Sequence, residues 1–144
     1  MTAAAGGPAP PAVVGIGVDA VDVERFRAVL ARRPGLLERL FTAGERAVAA
    51  RVPDPAPRLA ARFAAKEAVL KALGVGIGAA AFHDVEVVRA DSGQPRLVLT
   101  GTAAALAVGR GVTRWHVSLT HTDAVAVASV VAEGGVTPEA GGAR

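Results

Sequence analysis

Residues 58–74 of the chain read RLAARFAAKEAVLKALG. The spacing of their apolar residues predicts a helix over residues 58–73, and Gly74 stands where a helix commonly ends in a left-handed turn. At 100° per residue, an apolar stripe lies within about 40° of Leu59. Lys66 interrupts this stripe. We therefore predict that this helix faces the core and that the Lys66 stem runs along its apolar neighbours to bring the ammonium to an edge.

The segments before this helix predict a strand and further helices. Residues 13–18, VVGIGV, are a β-branched run interrupted by glycines, which is typical of a strand. Asp19 follows its predicted end, and a helical pattern begins at Val21 and stops at residues 34–35, Pro-Gly. The short helix that comes next is predicted to open with a capping box at Thr42 and Glu45.

The second half of the chain predicts mainly antiparallel strands. The pattern indicates two strands joined by a turn, a short Ala-rich helix and a final hairpin, at residues 85–89, 96–100, 101–109, 112–121 and 124–131. Helices in the first half and antiparallel strands in the second indicate the α+β class. We expect one folded unit over residues 13–132, with disordered tails at 1–12 and 133–144, which are rich in Gly, Pro and Ala.

Composition narrows the class of function. The chain has 144 residues, which fits one domain, a formal charge of +3 and few aromatic residues, four Phe and one Trp. This mild charge and the sparse aromatics argue against a nucleic-acid partner and favour a phosphate-bearing ligand or an acidic partner. The absence of Cys excludes thiolate metal sites and fits a reducing compartment. With no signal-peptide pattern and no membrane-spanning segment, we expect a cytoplasmic protein.

Glu67 and Lys71 are the first candidates for chemistry. They lie four residues apart on one side of the predicted helix, beside Ala60, Ala64 and Ala68. Such a pair is typical of an ordinary exposed ion pair, worth about 0.3–0.5 kcal/mol. The alanines leave a second interpretation open, because small side chains let a ligand or another subunit approach the helix closely.

Asp19 is the second candidate. A carboxylate at the end of a glycine-rich strand suits a hard cation such as Mg²⁺, which prefers oxygen ligands. It is equally suited to cap the helix that is predicted to begin near Val21.

The strand at residues 113–122, TRWHVSLTHT, supplies the third group. Alternation places His116, Ser118 and Thr120 on one face and the apolar residues on the other. Such a polar row suits phosphate oxygens, and it is also typical of a half-solvated edge strand; His121 follows near the turn. No nucleophile elbow surrounds Ser118, which argues against a hydrolase pair, and the histidines lack zinc-site spacing, which argues against a zinc site.

Together these residue types suit Mg²⁺ and a polyphosphate ligand, and three segments carry a resemblance that fits this chemistry. They read GIGVDAVDVERF at 15–26, ARFAAKEAVLKALGVGIG at 61–78 and WHVSLTHT at 115–122. In this order they resemble the 4′-phosphopantetheinyl transferases of the holo-acyl-carrier-protein synthase type. The resemblance spans residues 13–132 and implies an α+β subunit that assembles as a homotrimer, with active sites between subunits.

The resemblance also implies roles for single residues. Asp19 and Glu67 match the family's Mg²⁺-binding carboxylates, Lys71 its catalytic lysine, and Arg25 a basic residue that meets the carrier protein. The residues matched to coenzyme A binding are Arg58, Arg62, Lys71, Gly74, His116, Ser118, Thr120 and His121. Lys66 belongs to the same motif, with an implied contact to phosphates or to the subunit interface. One departure is the segment 51–58, RVPDPAPR, which is poorer in basic residues than the family pattern.

The implied reaction is Mg²⁺-dependent transfer of 4′-phosphopantetheine from coenzyme A to a serine of an apo acyl carrier protein, with release of adenosine 3′,5′-bisphosphate. Two alternatives stay open at the level of sequence. One is a Mg²⁺-dependent phosphohydrolase, and the other is a non-catalytic module that binds coenzyme A or the carrier protein.

Overall fold

The structure is a computed structural model that describes Gly7 and residues 10–135. Helices fill most of the first half and strands most of the second, as predicted for the α+β class. The strands are β1 (Pro11–Asp22), β2 (Val85–Arg89), β3 (Pro95–Leu99), β4 (Val112–His121) and β5 (Val125–Gly135). The helices are α1 (Val23–Arg32), α2 (Leu36–Leu40), α3 (Ala43–Ala49), α4 (Ala56–Ala72) and α5 (Gly101–Gly109), with a 3₁₀ turn at Phe82–Asp84.

The strands form two antiparallel sheets. The larger has the order β1-β5-β4, and the smaller is the β2–β3 hairpin. In the larger sheet β5 lies in the centre, and Asp19 of β1 faces Ala128 of β5, which in turn faces Leu119 of β4. Both outer strands therefore align with one central strand, and this alignment determines which side chains share a face.

Strand β1 is longer than the sequence pattern predicted. It was expected to end before Asp19, but its pairing with β5 continues to Asp22, opposite Val125. The predicted limits of the folded unit, residues 13 and 132, lie inside strands. Strand β1 already begins at Pro11, and strand β5 ends only at Gly135. The remaining predicted tail residues, apart from Gly7 and Pro10, lie outside the described residues.

The helix α4 lies directly on the larger sheet because β1 carries glycine where the two meet. A Cβ on Gly17 would lie 1.9 Å from the carbonyl oxygen of Ala68, and one on Gly15 would lie 2.0 Å from that of Ala72. Ala68 is completely buried in this contact. The small residues of α4 thus bring β1 of the same chain close, rather than a ligand or another subunit.

The local signals at the helix ends are mostly confirmed. Thr42 and Glu45 form the predicted capping box at the start of α3. Gly74 follows α4 with a φ of 70°, the left-handed conformation predicted for it. The start of α1 was placed too early at Val21, because that residue still belongs to β1 and the helix begins at Val23.

Candidate active site

The structure brings Asp19, Glu67 and Lys71 together between β1 and α4. The Lys71 ammonium donates to Asp19 Oδ1 at 3.1 Å and to the carbonyl oxygen of Val18 at 3.0 Å. The Asp19 side chain is 13% exposed, whereas that of Lys71 is 55% exposed. Lys71 therefore reaches across to the strand instead of forming an isolated surface pair with Glu67, and it stays open to solvent.

Glu67 carries the clearest electrostatic signal of this group. Its partial burial, a hydrogen bond to Asp19 and the negative charge of Asp19 raise the pKa of Glu67 to about 7, while Lys71 acts in the opposite direction. Two carboxyl groups held this close repel each other when both are ionised, so one retains a proton near neutral pH. A cation placed between them would relieve that repulsion.

Asp19 does not cap a helix, which excludes one of the two interpretations of its sequence position. The residue that caps α1 is Asp22, whose side chain accepts a hydrogen bond from the backbone N–H of Arg25 at 2.8 Å. Asp19 lies within β1, and the pleat directs it to the face that α4 covers. The carboxylate is therefore free of helix capping and points towards Glu67.

A mainly apolar groove opens beside the carboxyl pair. It has a volume of about 470 Å³, and Asp19 and Glu67 line it together with Arg25 on α1. Its apolar residues include three aromatic rings and Ile77, which is 76% exposed. The rings are those of Phe26, Phe63 and Phe82. The groove thus places a basic residue and a broad apolar surface next to the polar site.

The polar face of β4 is confirmed, but it lies apart from the carboxyl pair. His116, Ser118 and Thr120 are exposed on the face of the sheet opposite to α4, while the alternate residues pack against the core. Because β5 separates β4 from β1, the two strands are roughly 10 Å apart. Within one chain, these side chains and Asp19 therefore do not share a site.

Two histidines of this region differ in their contacts. His116 Nε2 lies 2.7 Å from Glu133 Oε2, on the exposed face of the sheet. His121 is exposed at the end of β4, close to the turn, as the sequence pattern predicted. Neither histidine contacts the Asp19–Glu67 pair.

The arginines assigned to coenzyme A binding lie towards the other end of α4. Arg62 is buried, its Nη1 donates to the carbonyl oxygen of Arg58 at 3.5 Å, and its Nε has no partner among the described residues. Burial lowers the pKa of Arg62; the negative charge of Glu45 opposes this shift, and the positive charges of Arg89 and Arg58 add to it. At the opposite end, the Arg110 guanidinium lies beside Gly74.

Lys66 corrects the sequence interpretation. Its side chain is 0% exposed, and its ammonium donates to Glu45 Oε1 at 2.7 Å. Burial lowers the pKa of Lys66, and the negative charge of Glu45 opposes that shift. Lys66 therefore neither reaches an edge nor faces a phosphate. The sequence could not indicate this pair, because Glu45 was assigned only to its capping box and lies 21 residues away.

The donor set limits which metal the site would take. Among residues 10–135 and Gly7, no group of three or more His, Cys, Asp or Glu side chains is placed to hold a metal ion. Two carboxylates on their own suit Mg²⁺, which commonly takes one or two protein carboxylates and fills its other positions with water and phosphate oxygens. The same described part of the chain contains no helix long and apolar enough to cross a membrane.

Comparisons with known proteins agree on one family. The model of the 4′-phosphopantetheinyl transferase superfamily matches residues 15–128. The holo-[acyl-carrier-protein] synthase of Frankia casuarinae is 58% identical over 122 residues, which are 85% of this chain and 98% of that protein. The synthase of the same name from Streptomyces avermitilis is 52% identical, also over 85% of this chain and 98% of that protein.

Solved structures give the same answer. A holo-(acyl-carrier-protein) synthase from Bacillus anthracis, in complex with CoA (3′,5′-ADP), matches with a TM-score of 0.71 and 36% identity, over 85% of this chain and 97% of that one. A Helicobacter pylori holo-[acyl-carrier-protein] synthase in complex with coenzyme A matches with a TM-score of 0.72 and 28% identity, over 81% and 98% of the two chains. The chain with the Asp19–Glu67–Lys71 site is therefore a member of the 4′-phosphopantetheinyl transferase superfamily, on the holo-[acyl-carrier-protein] synthase branch.

Proposed function

We propose that this protein transfers 4′-phosphopantetheine from coenzyme A to a serine of an apo acyl carrier protein and depends on Mg²⁺. The observation that carries this proposal is the joint placement of Asp19, Glu67 and Lys71 beside an apolar groove. The names of the relatives, and the coenzyme A bound in two of the related structures, support the choice of substrates.

Asp19 and Glu67 are the residues that would hold Mg²⁺. The raised pKa of Glu67 supports this assignment, because it reflects two carboxyl groups held together without a neutralising cation. When bound there, Mg²⁺ would neutralise negative charge on the pyrophosphate of coenzyme A. The ammonium of Lys71, next to Asp19 and open to solvent, binds a phosphate and stabilises the negative charge of the leaving group.

The proposed reaction is a displacement at the β-phosphorus. A bond forms between the serine Oγ and this phosphorus, and the phosphoanhydride bond to the α-phosphate breaks. The leaving group is adenosine 3′,5′-bisphosphate, and the serine proton passes to Glu67, directly or through one water. Positioning and charge stabilisation then account for most of the rate enhancement, as is general for phosphoryl transfer.

The proposed assembly is a homotrimer with each active site between two subunits. The face of the larger sheet opposite to α4 exposes apolar residues, among them Ile16 at 71% and Val18 at 59%. A surface cavity of about 550 Å³ on this face is lined by both residues and by Lys71. A second subunit placed against this face would bring its own polar row from β4, with His116, to the cavity beside Lys71, where the Lys71 ammonium reaches the carbonyl oxygen of Val18.

The carrier protein is proposed to dock over α1 and α2. Arg25 lines the groove beside the carboxyl pair, and Arg33 and Arg39 line an adjoining cavity that shares Ile77 and Phe82 with the groove. This arrangement combines an apolar floor with a basic rim and so complements an acidic, partly apolar partner. The cytoplasm is the proposed location, because the lack of cysteine fits a reducing compartment.

Mass spectrometry of the carrier tests the function directly. The protein is incubated with coenzyme A, Mg²⁺ and an apo acyl carrier protein, and the carrier should gain the mass of one phosphopantetheine. An unmodified carrier with intact coenzyme A would identify a binding module, and hydrolysed coenzyme A would identify a phosphohydrolase. Light scattering on the same sample tests the trimer, which should show three times the subunit mass.

A further inference from the structure

The buried pair of Glu45 and Lys66 joins three separate segments of the chain. All three acceptors of the Lys66 ammonium lie on different elements: Glu45 Oε1 on α3 at 2.7 Å, the carbonyl oxygen of Phe82 at 3.1 Å and the carbonyl oxygen of Val85. An ammonium has three hydrogens, so each finds one acceptor. The geometry therefore holds the segment from Phe82 to Val85 against α4.

The carboxylate of Glu45 completes this connection. Its Oε1 also accepts the backbone N–H of Thr42 at 3.0 Å, and its Oε2 accepts the backbone N–H of Val87 at 3.1 Å. Among the described residues, strand β2 pairs only with β3, so its other edge leaves backbone groups without a strand partner there. Glu45 supplies a partner at this edge and thereby holds β2 against α3.

Stability alone does not explain why these two residues are charged. Burial of an ion pair carries a large desolvation penalty, and well-packed apolar residues of similar volume are often as stabilising or more so. Apolar residues would nevertheless not orient the Phe82 carbonyl, because packing lacks the directionality of a hydrogen bond. The pair is therefore better suited to set a position than to add stability.

The position that it sets is a wall of the groove. Phe82 lines the groove beside Glu67, and its ring packs against that of Phe63 with 5.3 Å between the ring centroids. Phe63 in turn stacks on Phe26 of α1 at 5.2 Å. The aromatic row thus extends from the residue that Lys66 holds to the helix that carries Arg25.

We propose that Glu45 and Lys66 are a positioning pair that holds Phe82 at the wall of the groove, so that the groove is formed before the carrier protein enters it. This inference rests on the proposed function. The occupant is the apo carrier protein, because the groove continues into the cavity with the basic rim of Arg33 and Arg39. Neither residue of the pair touches the reacting groups, so its effect falls on carrier binding.

The test variant replaces the pair with neutral residues of similar size, Glu45→Gln combined with Lys66→Met. Replacement of both partners avoids an uncompensated buried charge, and the bond to the Phe82 carbonyl is still lost. We expect the KM for the apo carrier to rise about tenfold, with kcat and the KM for coenzyme A within about twofold of the unsubstituted protein. Calorimetric titration with the apo carrier, without coenzyme A, should show the same loss of affinity.

Matched variants separate positioning from a loss of stability. Val87→Ala removes buried methyl groups from the same strand and keeps the N–H that Glu45 accepts, so it should lower the melting temperature and leave both KM values unchanged. Should the double variant fail to fold, Glu45→Asp keeps the charge with a shorter reach and should raise the carrier KM by a smaller factor. Phe82→Ala, which removes the wall itself, should match or exceed the effect of the double variant.

Two results would overturn the inference. One is an unchanged KM for the carrier in a folded Glu45→Gln/Lys66→Met or Glu45→Asp variant. The other is an equal rise of that KM in Val87→Ala. Failure of the proposed function is distinguishable, because the unsubstituted protein would then leave the carrier unmodified before any variant is compared.

Discussion

Lys66 and Lys71 lie five residues apart on α4, and each pairs with a carboxylate, yet their surroundings differ completely. The Lys66–Glu45 pair is fully buried, and each ammonium hydrogen has an acceptor in the protein. The Lys71–Asp19 pair opens to solvent, next to a second carboxyl group with a raised pKa. A charged pair with no remaining capacity for partners holds structure in place, whereas one with spare donors and acceptors is available to a ligand.

The largest expected effect on activity is at the solvent-open site of Asp19, Glu67 and Lys71. Glu67→Ala should lower the rate of carrier modification about a thousandfold or more, because several kcal/mol of charge stabilisation depends on the carboxyl pair. The melting temperature should change little, since the Glu67 side chain is only partly buried. The rate comes from mass spectrometry of the carrier, and Glu24→Ala, which removes an exposed carboxylate of α1, is the control. Near-normal turnover of Glu67→Ala at saturating Mg²⁺ would contradict the metal-site assignment.

Substitution in the buried Lys66–Glu45 pair should affect mainly the stability of the fold rather than the rate of the reaction. Lys66→Ala leaves the Glu45 carboxylate buried without its cation and should lower the free energy of unfolding by about 3–5 kcal/mol. The corresponding substitution at the open site, Lys71→Ala, should change that free energy by less than about 1 kcal/mol, because the Lys71 side chain is 55% exposed. Urea unfolding of both variants measures the difference, and equal losses of stability would remove the distinction between the two lysines.

A conservative change sharpens the comparison further. Lys71→Arg keeps the positive charge, but it replaces a compact ammonium with a planar guanidinium that approaches a phosphate differently. We expect carrier modification to slow by about one order of magnitude with unchanged stability. Steady-state kinetics beside a melting curve measure both quantities. Full activity of Lys71→Arg would show that the site requires only a positive charge at this position.

The smallest expected effect is on pH dependence. The folded-state pKa of Glu67 is raised to about 7 from the ordinary value of 4.5. Protonation of Glu67 therefore stabilises the metal-free folded protein relative to the unfolded chain. This contribution to stability is fully present below pH 4.5 and is lost as the pH rises through 7. Mg²⁺ needs the ionised form, so its affinity should rise over the same interval. Calorimetric titration with Mg²⁺ at pH 6 and pH 8 checks this trend, which Glu67→Gln should abolish.

The elements that the sequence predicted well are those with local causes. The capping box at Thr42, the helix α4 and the left-handed Gly74 all depend on residues within a few positions of one another. The end of β1 was predicted poorly, because the partner strand β5 determines how far it continues past Asp19. Local propensity contains no information about that alignment.

The residues of the candidate site show the same difference between features that local sequence predicts and features that depend on distant partners. Its three central residues, Asp19, Glu67 and Lys71, were indicated by the family motifs, and the structure places them in contact range. The burial of Lys66 could not be predicted, because periodicity places a lysine on a helix face without indicating which distant residue covers it. His116 was assigned correctly to a polar face, but only the strand order shows that this face is remote from Asp19 in a single chain.

The two glycines of β1 have a consequence for how this site tolerates mutation. Gly17 lies two residues before Asp19 on the same face of the strand, and its missing side chain leaves space for the carbonyl of Ala68, the residue after Glu67. Any larger residue at position 17 would push α4 outwards and widen the gap between the two carboxyl groups, although neither of them had changed. The spacing of the two proposed metal ligands thus depends on a residue that has no side chain and performs no chemistry.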